Sequence, residues 1–149
     1  MFGATRSGAS AYAKVGIETG VLSASPHKLI AMLFDGALVA LSTALLHMKA
    51  GNIAAKGQAI SKAIAIIDDG LRASLDAKAG GSIASSLDAL YGYMSTQLLM
   101  SNLKNAPELI EEVQRLLGEL KGAWQMIDPA APAPVPVPVQ ALARANLAR

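Results

Sequence analysis

Short breaks divide residues 26–127 into four long segments of helical character. The breaks fall at Gly51-Asn52, at Gly80-Gly81 and at Asn105-Ala106-Pro107. Connections of two or three residues cannot carry the chain far, so each helix has to run antiparallel to the one before it. No segment alternates apolar and polar residues in the way a half-buried strand does. The pattern predicts an all-α fold, an antiparallel up-down four-helix bundle.

The first predicted helix, from about Pro26 to Ala50, has clear signals at both ends. Ser25 suits the N-cap position, and Pro26 suits the first helical position because no N–H is needed there. Gly51 follows the last helical residue, where a left-handed backbone commonly ends a helix. We therefore expect this helix to have well-defined boundaries.

The other helices are bounded by weaker signals. The second is expected from about residue 53 to residue 79, and the third from residue 83 to about residue 104. Asn105 is expected to cap the fourth helix, because Glu108 three residues later resembles a capping box. This helix should continue to about Ile127.

The composition changes on both sides of the bundle. Residues 1–24 hold scattered Gly and Ser and are interpreted as an N-terminal arm that docks onto the bundle domain, residues 25–128. Residues 129–149 hold five of the seven prolines, which predicts a flexible, polyproline-type tail. A spacer or dispensable tail is favoured for it over a ligand for another domain.

The charge distribution argues against nucleic-acid binding. Residues 1–128 carry eleven basic and eleven acidic side chains, and the excess of +2 comes from Arg144 and Arg149. No basic patch or run of like charge appears, which a phosphate backbone would require. Nucleic acid is therefore not expected among the partners.

A cytoplasmic location is expected, without membrane insertion. The chain has no cysteine, and its first residues lack the apolar core of a signal peptide. Residues 29–48 are long and apolar enough to resemble a membrane span, but Asp35 would lie near its middle. Burying that charge in lipid costs several kcal/mol, about 3 or more, so a membrane span is disfavoured.

The first helix is apolar on more sides than a bundle helix needs. One face consists of Ile30, Leu33, Phe34, Ala37, Leu38, Leu41, Leu45 and Met48. A second face consists of Leu29, Met32, Gly36, Val39 and Leu46. A helix in a four-helix bundle keeps one face outward, so the second face has to be covered by the N-terminal arm, a second subunit or a client.

The second helix also has two stripes. Ile53, Ile60, Ile64, Ile67, Leu71 and Leu75 form its expected core stripe. Small residues form the other stripe, Ala55, Ala59, Ala63, Gly70 and Ala73 together with Ile66. This stripe has two equally favoured interpretations. It allows close approach of a neighbouring helix of the bundle, or it forms a shallow groove for a partner helix.

The chemistry of an enzyme or a metal protein is missing from the sequence. His27 and His47 are the two histidines, and both are interpreted as surface residues. Neither belongs to a HExxH motif or to the Glu-x-x-His pairs of di-iron bundles. We expect no catalytic residue, no metal site and no cofactor. A bundle that holds a cofactor is the weaker alternative.

Five stretches of the sequence resemble one family. They are AYAKVGIETGVLSASPHKLIAMLFDGA, GNIAAKGQAISKAIAIIDDGL, GGSIASSLDALYGYM, NLKNAPELIEEVQRLL and the pair AW, between about Ala11 and Pro129. Together they are similar to the flagellar secretion chaperones, which are specific for flagellin. Two features depart from the family: Gly92 stands where an acidic residue is common, and the Pro-rich tail is not part of the pattern.

The resemblance implies a four-helix bundle that binds the disordered C-terminal segment of flagellin in the cytoplasm. It implies prevention of premature polymerisation, delivery to the export gate of the flagellar type III apparatus and, in some members, binding of an anti-sigma factor. A monomer or weak dimer is expected. The alternative is a structural helical module that self-associates through the first helix.

Helical phase together with the resemblance gives candidate contact residues. The expected flagellin contacts are Leu29, Met32, Val39, Ile66, Leu90, Tyr93 and Met100. The expected contacts of the N-terminal arm or of the export gate are Tyr12 and Val15.

Overall fold

Four helices form an antiparallel bundle, as predicted, in a computed structural model that describes residues 24–127. No strand occurs within this range. The residues predicted as the tail, and all of the predicted arm except Ala24, lie outside it. The helices are α1, Pro26–Ala50; α2, Ile53–Ala65, which continues as a π-helix, Ile66–Arg72; α3, Ala77–Lys104; and α4, Pro107–Gln125.

Both predicted boundaries of α1 are confirmed. The Ser25 hydroxyl accepts a hydrogen bond from the Lys28 amide at 3.1 Å, and Pro26 is the first helical residue. Gly51 ends the helix in the left-handed region with φ of +78°. A residue with a Cβ is strained in that conformation, which explains why glycine follows the helix.

The predicted end of the second helix at residue 79 is wrong. The helix stops at Arg72, and Asp76 caps the next helix by accepting hydrogen bonds from the Lys78 and Ala79 amides at 3.0 and 3.1 Å. The expected break at Gly80-Gly81 is instead a kink within α3, where Gly81 has φ of +54°. The cap at Asp76 therefore decides where α3 begins.

The predicted capping box at the start of α4 is also wrong. Asn105 adopts left-handed geometry, with φ of +51°, and ends α3 rather than capping α4. Its side-chain oxygen accepts a hydrogen bond from the Lys56 ammonium group, which also donates to the Asn102 carbonyl at 3.1 Å. Lys56 is only 4% exposed, and its charge lies at the negative end of the α3 dipole.

These contacts also establish how the helices are arranged. Lys56 near the start of α2 touches the end of α3, and His27 near the start of α1 touches Trp124 near the end of α4. Both helix pairs therefore run antiparallel. Around the bundle, α1 packs against α2 and α4, and α3 packs against the same two helices.

All four helices contribute to one hydrophobic core. Its fully buried large side chains include Leu33, Leu41, Ile60, Ile67, Leu71, Leu90, Met94, Leu98, Ile110, Val113 and Leu117. Most of the expected core stripe of α2 is confirmed, but Ile53 is 73% exposed because it lies in the first turn, at the open end of the bundle.

The small-residue stripe of α2 packs mainly against a neighbouring helix. Ala59, Ala63, Ile66 and Gly70 are all buried. A Cβ on Gly70 would lie 3.0 Å from a Leu33 methyl carbon of α1, so any larger residue at this position would force Leu33 to shift. Most of the stripe is therefore used for helix packing, and only its edge is available to a partner.

The α1 helix is long and apolar enough to cross a membrane by length and composition alone, since one window has a mean hydropathy of 2.1. Its core residues Leu33, Ala37 and Leu41 are fully buried against the rest of the bundle. Only 33% of that apolar window is buried. The apolar residues of α1 that are not buried in the core therefore lie on its outer side.

Candidate functional site

His27 and Trp124 join the first and last helices at one end of the bundle. Their rings stack with centroids 4.9 Å apart and an angle of 12° between the planes. His27 Nε2 donates to the Trp124 carbonyl at 2.8 Å, and Trp124 Nε1 donates to the His27 carbonyl at 2.9 Å. The interpretation of His27 as a simple surface residue is wrong, because the tertiary fold places Trp124 against it.

His47 has a local contact at the other end of α1. Its Nδ1 lies 3.4 Å from the side-chain nitrogen Nδ2 of Asn52, across the turn that connects α1 with α2. Among residues 24–127, no three His, Cys, Asp or Glu side chains are placed so that they could hold a metal ion. Three mainly apolar grooves open on the described surface.

A terminal groove opens beside the His27–Trp124 pair. Its volume is about 430 Å³, and all four helices contribute to its walls. Asp76 adds a carboxylate to a mainly apolar lining. The principal apolar side chains are Ile30, Phe34, Leu75, Ile83, Leu87 and Trp124. The groove lies next to the point where residues 1–23 join α1 and residues 128–149 follow α4.

A second groove, the α1–α2 groove, runs between these two helices. It has a volume of about 540 Å³, and small residues such as Gly36, Ala40 and Ala59 line it. Val39 lines it too and is 65% exposed, while Asp35 and Lys62 provide charges. Small side chains keep the floor low, so a partner helix can come close to both backbones.

A third groove, the distal groove, lies at the bundle end opposite the start of α1 and the end of α4. Its volume is about 660 Å³, and it is lined by Leu45, Leu46, Met48, Ile53, Pro107 and Glu111, among others. Leu46 and Ile53 are 71% and 73% exposed. Together with Leu45 and Met48 they form a contiguous apolar patch, and such patches commonly mark interaction sites.

The predicted flagellin contacts divide into accessible and buried residues. Val39 is exposed, and Leu29, Met32, Tyr93 and Met100 are partly exposed. Ile66 and Leu90 are only 8% and 1% exposed, because both face the core. This corrects the expectation that all seven residues offer surface to a partner. Tyr12 and Val15 lie outside the described residues.

Tyr93 is held in place by a polar contact between α3 and α4. Its hydroxyl donates to Glu112 Oε2 at 2.7 Å, and Gln97 donates to the other oxygen of that carboxylate at 3.1 Å. The ring also packs against the hydrophobic core. Tyr93 thus contributes to the fold as well as to the surface.

Gly92, where the resemblance implies a departure from the family pattern, lies under Arg72. A Cβ at this position would lie 3.2 Å from the guanidinium. Arg72 Nε donates to Asp88 at 2.7 Å, and this hydrogen bond lowers the pKa of the Asp88 carboxyl below its ordinary value. Asp68 lies 3.6 Å from Arg72 and accepts a hydrogen bond from Ser95 at 2.9 Å. The α2–α3 face is therefore a polar network in which Arg72 occupies the space above Gly92.

Several exposed apolar residues were not among the predicted contacts. They are Leu46, Ile53, Leu99, Leu103 and Met126. Helical phase places Leu46 on the second apolar face of α1 and Leu99 outside the core stripe of α3. The exposure of Ile53 and Leu103 follows from their position at the distal end, which required knowledge of where the helices end.

Comparison with known proteins identifies relatives over most of the chain. Residues 8–131 match the family described as "Flagellar protein FliS". The chain is 54% identical to the "Flagellar secretion chaperone FliS" of Salmonella typhimurium over 127 residues, 85% of this chain and 94% of the relative. The protein of the same name in Escherichia coli is 46% identical over 118 residues, 79% of this chain and 87% of the relative. The one in Vibrio cholerae is 40% identical over 124 residues, 83% and 90% of the two chains.

Proposed function

The chain belongs to the FliS family of flagellar secretion chaperones, and from this we propose that it binds the C-terminal segment of flagellin in the cytoplasm. Binding masks a segment that would otherwise polymerise too early and keeps it available for delivery to the flagellar export gate. The action is stoichiometric and involves no catalysis. Binding of an anti-sigma factor remains a prediction from the family resemblance.

The observation that carries this proposal is the apolar surface that the bundle does not use for its own core. Val39 and Leu46 are 65% and 71% exposed on a helix whose opposite face is fully buried. The terminal groove and the distal groove add apolar concavities at the two ends of the bundle. A long client that wraps around the bundle can contact all of these surfaces.

A disordered client suits this kind of surface. Its apolar side chains become buried as it folds into helices along the grooves, and the cost of ordering it reduces the net affinity. Several contact regions are therefore needed for useful binding. Met32 and Val39 remain proposed contacts, as do Leu29, Tyr93 and Met100, whereas Ile66 and Leu90 are left out because they are buried.

Sedimentation velocity with purified flagellin tests the proposal. We expect the chain to form a one-to-one complex with full-length flagellin and none with flagellin that lacks its C-terminal segment. Equal binding of both flagellins would refute the proposal. A chain that dimerises at every concentration and ignores flagellin would favour the self-associating module instead.

A double substitution, Val39→Asp with Leu46→Asp, should weaken the complex without unfolding the chain, because both side chains are exposed. Ser61→Asp is the control, since it introduces the same residue at an exposed polar position of α2. Equal loss of binding in both variants would show that added charge, rather than lost apolar contact, is responsible.

A further inference from the structure

Large apolar side chains are exposed at the distal end of the bundle, where α2 begins and α3 ends. Ile53 and Leu103 are 73% and 77% exposed. Ile53 borders the distal groove, which the partly buried Leu45 and Met48 also line. Removing such side chains from water is favourable, so this groove offers binding energy that residues 24–127 do not use.

The residues that follow α4 combine a spacer with an apolar segment. Five prolines fall within residues 129–138, a composition that favours an extended polyproline chain. Residues 139–149 read VQALARANLAR and contain no proline and no acidic side chain. In a helix, Val139, Leu142 and Leu147 would lie on one face about 140° wide. A helix this short is marginal in water, so the segment needs a surface on which to fold.

The spacer has the length that is needed to reach the distal groove. The α4 helix, Pro107–Gln125, has 19 residues and is about 28 Å long. Ten residues of polyproline, 129–138, extend about 31 Å. If the chain reverses at Asp128-Pro129, a common turn sequence, the spacer runs back along α4 and brings residue 139 to its start. Pro107 and Glu111, near that start, line the distal groove.

The charges favour the α4 side of this groove. Residues 139–149 carry Arg144 and Arg149. Glu108 and Glu111 of α4 are exposed, and no ion pair found within residues 24–127 includes either carboxylate. On the α1 side, Lys49 lines the groove and would repel the arginines. Leu46, which is on that side too, therefore stays outside the contact.

Two other occupants fit the distal groove less well. Residues 1–23 join α1 at the opposite end of the bundle and contain no proline spacer that would carry them along it. A second copy of the chain would have to associate from solution. A tethered segment is instead present at a local concentration in the millimolar range, on the order of 1 mM.

We propose that residues 139–149 fold into a helix in the distal groove of their own chain. Leu142 and Leu147 pack against Ile53 and Pro107, and an arginine faces Glu111. The docked segment covers the apolar distal end of the bundle. This inference goes beyond the proposed function and does not depend on it, because the contact forms without a client.

Disulfide trapping in the full chain tests the contact, since the chain has no cysteine of its own. Ile53→Cys with Ala143→Cys puts one thiol at the groove and one on the apolar face of the segment. Under mild oxidation this pair should form an intramolecular disulfide, which non-reducing gel electrophoresis follows over time.

Ser82→Cys with Ala143→Cys is the matched control. Ser82 is exposed and lies near the end of α4, because its neighbour Ile83 and Ile127 line the same terminal groove. A tail without a docking site would meet this nearer position more often, since shorter loops close more readily. We expect the Ile53 pair to form its disulfide about tenfold faster than the Ser82 pair.

Substitutions in the tail identify the side chains that dock. With the Ile53 cysteine pair in place, Leu142→Ser with Leu147→Ser should slow the disulfide about tenfold, because the apolar contact is lost. Val135→Ser with Val137→Ser, within the spacer, is the control and should keep the rate. Arg144→Glu with Arg149→Glu should slow it about threefold at low salt and less at high salt.

The other outcomes overturn the inference. Equal rates for the two cysteine pairs, or a rate that is unchanged in the leucine variant, would show that the tail does not dock. Disulfides formed only between two chains would assign the groove to the tail of a second copy. A faster disulfide from Tyr12→Cys to Ile53→Cys would assign it to residues 1–23. Because flagellin is absent from the test, each of these results leaves the proposed function standing.

Discussion

The first and last helices, α1 and α4, line the same core but have opposite outer faces. The apolar residues of α4, from Ile110 to Ala123, point largely inward, and its outer face carries Glu108, Glu111 and Arg115. The outer face of α1 exposes Val39 and Leu46. Folding alone accounts for the sequence of α4, whereas α1 contains apolar residues for which the isolated bundle has no use. The difference identifies the outer face of α1 as the surface that the proposed client would contact.

The largest expected effect comes from one substitution made on the two sides of α1. Leu41→Ala should lower the free energy of unfolding by about 2–5 kcal/mol, because Leu41 is fully buried and the change leaves a cavity. Leu46→Ala should change it by less than about 0.5 kcal/mol, because that side chain is exposed. Urea unfolding followed by far-UV circular dichroism measures both values.

The same substitution in α4, Leu117→Ala, extends the comparison of unfolding free energies to the last helix, since Leu117 is also fully buried. It should destabilise the chain to a similar degree as Leu41→Ala. A loss above about 1 kcal/mol for Leu46→Ala would mean that the outer face of α1 is covered within the monomer, and the contrast between the helices would fail.

A pair of glycines gives the next largest effect. Gly70→Ala should destabilise the chain by about 1–3 kcal/mol, because its Cβ would lie 3.0 Å from Leu33 of α1. Gly118→Ala on α4 should stabilise it by about 0.5–1 kcal/mol, because nothing lies within 4 Å of the new Cβ and alanine favours a helix. Thermal melting of the two variants should therefore shift in opposite directions. Two shifts of the same sign would disprove the close packing at Gly70 or the open surface at Gly118.

Helix number, order and the caps of α1 could be predicted from the sequence because these features depend on local chemistry. Ser25, Pro26 and Gly51 each act within one turn of the helix end. The boundary between α2 and α3 could not be predicted, since Gly80-Gly81 offers a stronger local break than Asp76. Similarly, the local sequence around Asn105 is typical of an N-cap. Its side chain instead accepts a hydrogen bond from Lys56 of α2, a contact that the local sequence does not reveal.

The candidate site could be predicted only in part. The apolar surplus of α1 was evident from Met32, Val39 and Leu46, because helical phase separates them from the core face. The burial of Ile66 and Leu90 depends on how the helices rotate against one another, which one sequence does not specify. The His27–Trp124 pair lies 97 residues apart in the chain, so no local pattern could reveal it.

The His27–Trp124 contact joins α1 to α4. Trp124→Phe keeps an aromatic ring beside His27 but removes the indole N–H that donates to the His27 carbonyl. We expect a loss of about 1 kcal/mol in unfolding free energy, the usual value for one hydrogen bond. His27→Phe removes the reciprocal donor and is the matching variant. If neither substitution changes the denaturant midpoint, the pair does not hold α1 to α4.

The smallest expected effect concerns Asp35 and Lys121, which form the ion pair between α1 and α4. Asp35→Asn, Lys121→Met and the double variant form a double-mutant cycle whose coupling energy should be about 1 kcal/mol or less, because the Asp35 side chain is 54% exposed. The coupling should fall further at high salt. Asp35 lies on the outer side of α1, so a coupling of several kcal/mol would mean that this part of α1 is held by α4 for stability. A small coupling instead would mean that this ion pair contributes little to holding α1 against α4, and that the buried side of α1 supplies most of that stability.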